Sequence, residues 1–149
     1  MSLKNLYFIL PWIAMLSGHF YFNANAQAMW TGMTDTELVK NSELIITGSF
    51  IGSTPVYITA DKKRLNLGVL KVEKTFKGKK SDIVLIRVTD QAGLPQRSDI
   101  LIYKTGQTGL WFLKEDRHNK GIYLVDHPQR FVPARLQERK LQAIDKLLK

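Results

Sequence analysis

The feature that most constrains the fold is a series of short apolar stretches, separated by turns, that fills the middle of the chain. Each stretch is bounded by Gly, Pro or charged residues and is rich in Val, Ile, Leu and aromatic residues, as β-strands are. The predicted strands cover residues 44–53, 65–76, 82–88, 100–103, 108–114 and 122–126. Strands of this length and spacing predict a mainly β domain that closes into a small barrel.

The second of these strands carries a sign of bending. Its apolar residues alternate from Leu65 to Val69 and then continue from Leu70 on the opposite parity. A β-bulge produces such a switch and lets a long strand curve around a barrel. Residues 54–66 contain Pro55 and a charged cluster, so they are predicted to form an excursion between strands.

A short N-terminal helix and a C-terminal amphipathic helix are predicted to flank the strands. Thr34 or Asp35 can cap the first helix. Apolar residues recur at helical spacing over residues 134–149, and the two prolines in 127–133 predict extended chain before them. The helical residues expected to reach the core are Leu38, Val39, Leu136, Ile144 and Leu147.

Residues 1–28 predict a secretory signal peptide. Lys4 precedes an apolar run, and small residues follow it, with Ala26 and Ala28 at the −3 and −1 positions of a cleavage site. A cut after Ala26 is an alternative, and an uncleaved membrane anchor is the competing interpretation. Cleavage leaves one domain, residues 29–149, that is secreted or periplasmic and meets the membrane only transiently through its signal peptide.

Composition narrows the function. The chain has no cysteine, which excludes disulfides, thiolate metal sites and a cysteine nucleophile. It has 22 Lys and Arg against 13 Asp and Glu, and only Lys4 lies in the signal segment, so the predicted mature domain has a net charge of +8. Such a balance favours an acidic partner, with nucleic acid unlikely after export. The alternative is that surplus lysine only keeps the protein soluble.

The order of several segments resembles a known module. The segments "NSELIITGSFIG", "VLKVEKTFKG", "IVLIRV", "GLWFL", "GIYLV" and "PQRFVPARL" follow one another as in the tissue inhibitors of metalloproteinases and netrin-type modules. The resemblance extends over residues 35–145 and implies an OB-like β-barrel. Animal inhibitors of that family chelate a protease zinc through an N-terminal Cys, whereas Met29, Trp30 and Thr31 follow the cleavage site here. No inhibitory residue carries over, and these three form the candidate N-terminal contact.

Sequence motifs of catalysis are absent. The chain has no nucleophile elbow, P-loop or dinucleotide fingerprint. His118 and His127 are too few and too far apart in sequence to define a metal site. Glu115 and Asp116 are adjacent, which is poor geometry for two carboxylates that act on opposite faces of a substrate. We therefore predict a protein without enzymatic activity, metal or cofactor.

The turn after Phe76 is strongly basic and is a candidate contact for a polyanion or a partner. The alternative is a solvated hairpin turn, with Gly78 at positive φ and Phe76 facing inward. The candidate contact residues are Lys77, Lys79 and Lys80 in the turn, with Lys62, Lys63 and Arg64 if they lie nearby. Four aromatic residues are predicted to lie in the core, with a ligand-stacking platform as the alternative: Trp111, Phe112, Tyr123 and Phe131.

The sequence thus predicts an exported binding module that contacts a protein or an acidic component of the cell envelope. The alternative is an inhibitor of an exported metalloprotease that acts through its mature N-terminus.

Overall fold

The computed structural model describes residues 30–58, 63–89 and 101–149. The signal segment, its cleavage residues Ala26 and Ala28, and the candidate contacts Met29 and Lys62 lie outside these ranges. The strands are β1 (Leu44–Ile58), β2 (Lys63–Lys77), β3 (Ile83–Val88), β4 (Thr108–Glu115), β5 (Ile122–Leu124) and β6 (Phe131–Pro133). The helices are α1 (Asp35–Lys40) and α2 (Ala134–Ile144).

Five of the strands form a ring. The sheet order is β1-β2-β3-β5-β4-β6, and an additional pairing between β1 and β4 joins the first five strands to each other. β3 and β5 pair in parallel, and the other pairs are antiparallel. The predicted mainly β class is therefore confirmed, and the C-terminal helix packs beside β4 and β6.

Two apolar clusters hold the domain together. The inner cluster draws residues from β1 to β4 and the chain after β5: Leu44, Ile46, Phe50, Leu70, Val84, Ile86, Trp111, Leu113 and Val125. The helix-side cluster joins β1 and β4 to the two helices: Leu38, Val39, Ile45, Leu110, Phe112 and Ile144. Because β1 and β4 are covered on both faces here, residues 44–46 of β1 and 110–113 of β4 are continuously apolar. The prediction of a core position is confirmed for Trp111 and Phe112, which are fully buried.

The predicted excursion over residues 54–66 is wrong. β1 continues to Ile58 and pairs with β2 from Lys63 onward. Beyond Phe50, no strand among the described residues pairs with the other side of β1, which is an edge of the described sheet. An edge tolerates Pro55 because a proline there removes no ladder hydrogen bond.

The bulge was predicted at the correct level of the sheet but on the wrong strand. The register shifts between Phe50 and Gly52, opposite Leu70 and Val69, so the extra residue is Ile51 of β1. A second shift, at Gly48, brings the strands very close: a Cβ there would lie 2.3 Å from the backbone oxygen of Lys71. Only glycine fits this approach.

Three further predictions need correction. Residues 101–104 do not form a strand, because the chain turns at residues 105 and 106 and bonds to Phe50 before β4 begins. Residues 127–133 are not extended throughout, since Pro128–Arg130 form a 3-10 turn before β6. Of the α2 residues expected in the core only Ile144 is buried; Leu136 and Leu147 are 46% and 40% exposed. The helix tightens into a 3-10 turn after Ile144, and Leu148 packs against the helix-side cluster instead.

Polar contacts stabilise α1 and join it to α2. Thr34 caps α1 in a capping box with Glu37, an arrangement that satisfies otherwise unpaired N–H groups. The ammonium group of Lys140 in α2 contacts the carboxylate of Asp35 in α1.

A buried arginine connects parts of the chain that are far apart in sequence. Arg130 is 3% exposed and donates from Nη1 and Nη2 to the Asn41 carbonyl at the end of α1, at 3.4 and 3.3 Å. Nη1 also donates to Ser42 Oγ at 3.1 Å and to the Phe112 carbonyl in β4 at 3.3 Å. Nε donates to Asp126 Oδ1 at 2.8 Å. We call this set the Arg130 clasp.

Replacing Arg130 with Met should lower the free energy of unfolding by about 3 kcal/mol, because several buried acceptors then lose their donor. Urea unfolding measures the change. The control is Arg139→Met on exposed α2 surface, expected to change stability by less than about 0.5 kcal/mol. Equal urea midpoints for the two variants would show that the clasp is dispensable.

Candidate functional site

The structure separates the two halves of the predicted basic contact. Lys77 ends β2 and Lys79 and Lys80 lie exposed in the following turn, whereas Lys63 and Arg64 begin the same strand of 15 residues. Lys77 also has a structural role, because its Nζ donates to the Val39 carbonyl at 2.7 Å. The five described residues of this set therefore do not form one patch.

The turn itself is constrained by packing. Gly78 has a φ of +90°, and a Cβ there would lie 2.4 Å from the Glu43 carbonyl. Phe76 packs against the helix-side cluster, and the Lys74 ammonium lies 5.0 Å from the centre of its ring. These contacts account for the glycine and the aromatic residue of the turn without a ligand.

The candidate N-terminal contact is held against the chain that follows β5. The Thr31 carbonyl accepts a hydrogen bond from His127 Nε2 at 3.0 Å, because His127 Nδ1 is the acceptor for the Gln129 N–H. The Trp30 ring meets the His127 ring edge-on, with 5.2 Å between centroids. The side-chain amide of Gln129 bonds both the N–H and the carbonyl of Met33. Trp30 and Thr31 thus have a fixed place.

A cleft of about 460 Å³ opens near this segment, where β2 begins and β3 ends. We call it the arginine cleft; its lining residues are Arg64, Leu65, Asn66, Arg87, Val88, Thr89, Leu124, Val125 and Asp126. A smaller cavity of about 180 Å³, the side cavity, is lined by Trp30, Leu101 and Tyr103 together with the residues it shares with the cleft: Arg87, Val88, Thr89, Val125 and Asp126. The first volume is in the range of small-ligand sites.

Arg87 is held in the cleft by a buried carboxylate. Its Nη1 lies 3.7 Å from Asp116 Oδ2, and Asp116 is 3% exposed while the Arg87 side chain is 43% exposed. Asp116 also accepts hydrogen bonds from the His118 N–H and the Asn119 side-chain amide, both at 2.9 Å. These bonds, chiefly that from His118, hold the pKa of Asp116 below its ordinary value. The carboxylate therefore stays ionised and orients Arg87.

Two polar atoms lining these cavities have no partner. Among the described residues, the buried side-chain atoms without a hydrogen bond are Asn66 Oδ1 and the Tyr103 hydroxyl. Asn66 lines the arginine cleft and Tyr103 the side cavity. Burial, and then the charge of Asp126, raise the pKa of Tyr103, so its hydroxyl stays protonated. Unpaired buried polar atoms are rare in native proteins and call for a specific explanation.

The adjacent carboxylates Glu115 and Asp116, which the sequence analysis considered for catalysis, form hydrogen bonds within the fold. Glu115 accepts a hydrogen bond from the Gly121 N–H, so Glu115 and Asp116 both brace the turn between β4 and β5. Within the described ranges, no three His, Asp or Glu side chains lie close enough together to hold a metal ion. The same part of the chain contains no helix long and apolar enough to cross a bilayer.

No protein-family model matches the chain, and the curated proteins contain no match to its sequence.

Sequence reasoning identified Trp30 and Arg64 as candidate contacts but missed Arg87, Asn66 and Tyr103. A signal was present for two of them, since Asn66 and Arg87 are polar residues inside otherwise apolar strands. No such signal marked Tyr103, because tyrosine is common in apolar stretches.

Replacing Tyr103 with Phe should raise the free energy of unfolding by about 1 kcal/mol, since a buried hydroxyl without a partner destabilises the folded state. Thermal and urea unfolding measure the difference. Tyr57→Phe is the matched control, because Tyr57 is 68% exposed. A Tyr103→Phe protein less stable than wild type would mean that the hydroxyl has a partner in solution.

Replacing Asp116 with Asn should lower stability most near neutral pH. A carboxyl group whose pKa is depressed on folding stabilises the protein above its unfolded pKa, about 3.9 for Asp, and this contribution is lost as the pH falls through the folded pKa. The stability difference between wild type and Asp116→Asn should therefore shrink below about pH 4. Urea unfolding across pH measures it, with exposed Asp82→Asn as the control. A pH-independent difference would contradict this account.

Proposed function

We propose that this protein is an exported, non-enzymatic binding module that takes a carboxylate-bearing component of the cell envelope, or of a protein, into the arginine cleft. The observation that carries the proposal is that Asn66 and Tyr103, each of which has a buried polar atom without a partner, are among the residues that line the two adjoining cavities. Buried polar atoms without a partner destabilise the folded state, and a ligand that pairs with them would explain their presence beside a cavity.

The strand ring supports an OB-like barrel as the scaffold of this module. An OB-fold is a five-stranded Greek-key barrel whose ligands bind on the face of strands 2 and 3 and at the loops joining strands 1–2 and 4–5. The arginine cleft lies between the beginning of β2 and the end of β3. This position resembles the ligand-binding face of OB-folds and supports the proposal.

Charge supports a carboxylate as the bound group. Arg64 and Arg87 line the cleft, and a guanidinium matches the two oxygens of a carboxylate with parallel N–H donors. The ion pair with Asp116 favours an orientation of Arg87 before any ligand arrives, which lowers the side-chain entropy lost on binding. The signal-like segment of the sequence favours the periplasm or the cell exterior as the place of action.

Inhibition of an exported metalloprotease is the second candidate. Trp30 and Thr31 are held beside His127, and this favours the second candidate. Their fixed position would limit the orientations of an N-terminal amine that precedes them. Inhibition of a zinc endopeptidase that disappears when this amine is acetylated would establish it.

The main test measures the binding of carboxylate probes to the protein, purified in the form that accumulates in the cells that express it. The probes are oligogalacturonate and short peptides, each compared with its esterified or amidated form. Arg87→Gln should weaken binding at least about tenfold, since a hydrogen bond to a charged group contributes about 1.5–3 kcal/mol. Arg139→Gln and the double variant Lys79→Gln, Lys80→Gln should bind as wild type.

The proposal fails if no carboxylate probe binds in preference to its neutral form. It also fails if Arg87→Gln binds normally while the variant of the basic turn does not, which would place the site at Lys79 and Lys80. Circular dichroism confirms that each variant is folded.

A further inference from the structure

We infer that the group bound in the arginine cleft carries a carboxylate together with an ammonium or N–H donor, as an amino acid or a peptide end does. The inference rests on the proposed function, because it specifies the ligand of the same cleft. It follows from the division of the lining into a side that can only donate hydrogen bonds and a side that can accept them.

The donor side is formed by Arg87, with Arg64 beside it in the lining. A guanidinium has five N–H donors and no acceptor. Asp116 engages Arg87 at a single nitrogen, at 3.7 Å, and the side chain keeps 43% of its surface exposed. The remaining donors of Arg87 can therefore hold the two oxygens of a ligand carboxylate.

The acceptor side is formed by Asn66 and Asp126. Asn66 Oδ1 is buried and without a partner, so a ligand that reaches it must bring an N–H or O–H group. Asp126 is 47% exposed, and its Oδ1 accepts from Arg130 Nε at 2.8 Å. An ionised carboxylate only accepts hydrogen bonds, so the exposed part of Asp126 can accept a donor from the ligand.

The charge of Asp126 decides between two kinds of carboxylate ligand. A uronic acid has hydroxyls for Asn66, but its negative charge would lie in the same cleft as Asp126 with no positive charge of its own. A ligand ammonium pairs with Asp126 and removes this repulsion. The side cavity adds Trp30 and Leu101, against which a small apolar side chain of an amino acid can pack.

The experiment is a calorimetric and NMR titration of the full chain with the dipeptide alanyl-alanine. Its C-terminal amide, its N-acetyl derivative and a galacturonic acid trimer are the matched probes. We expect the free dipeptide to bind at least tenfold more tightly than either blocked form. The loss caused by N-acetylation should shrink in Asp126→Asn, and the control Asp145→Asn should behave as wild type.

Asn66→Leu provides an independent variant, because it leaves the Arg130 clasp intact. It should weaken dipeptide binding while leaving the melting temperature unchanged or raised. If the galacturonic acid trimer binds through Arg87 and the dipeptide does not, this inference is overturned and the proposed function stands. If both free and N-acetylated dipeptide bind equally, the ammonium has no role and the inference fails. If none of the carboxylate probes binds, the proposed function fails with it.

Discussion

The Arg130 clasp is the interaction on which the arrangement of the domain depends. A buried guanidinium is stable only when its N–H groups are paired, and here the acceptors come from the end of α1, from β4 and from Asp126. The clasp therefore fixes the chain between β5 and β6 relative to the sheet. That chain supplies Asp126 to the lining of the arginine cleft, and through His127 and Gln129 it holds the N-terminal segment.

The two apolar clusters explain why the cleft lies where it does. β1 and β4 are covered by the inner cluster on one face and by the helices on the other. At the beginning of β2, the side chains that face the inner cluster change from apolar to polar. Asn66 lies on the same face of the strand as Leu70 and pairs opposite Val88. An amide in an apolar row weakens the core unless it is paired. The fold is therefore locally destabilised at the cleft that we propose as the binding site.

The distribution of charge matters more than the net charge. The surplus of lysine is spread over the surface, and Lys77 and Lys140 bond to α1. In the cleft, by contrast, Arg87 is oriented by a carboxylate that is itself held by the turn after β4. A cation held in one orientation recognises a planar anion better than several mobile lysines do, because less conformational entropy is lost on binding.

Local sequence determined the elements. Short apolar stretches bounded by turn residues placed β3 and β4 almost to the residue, and helical spacing placed α2, because these patterns reflect local structure. It also placed a bulge near Val69 but could not assign it to β1, since a bulge belongs to a pair of strands. Only the tertiary structure decided that the two basic clusters lie apart, that Leu136 faces solvent, and that Arg87, Asn66 and Tyr103 line adjoining cavities. These residues are far apart in sequence, and the closure of the ring brings them together.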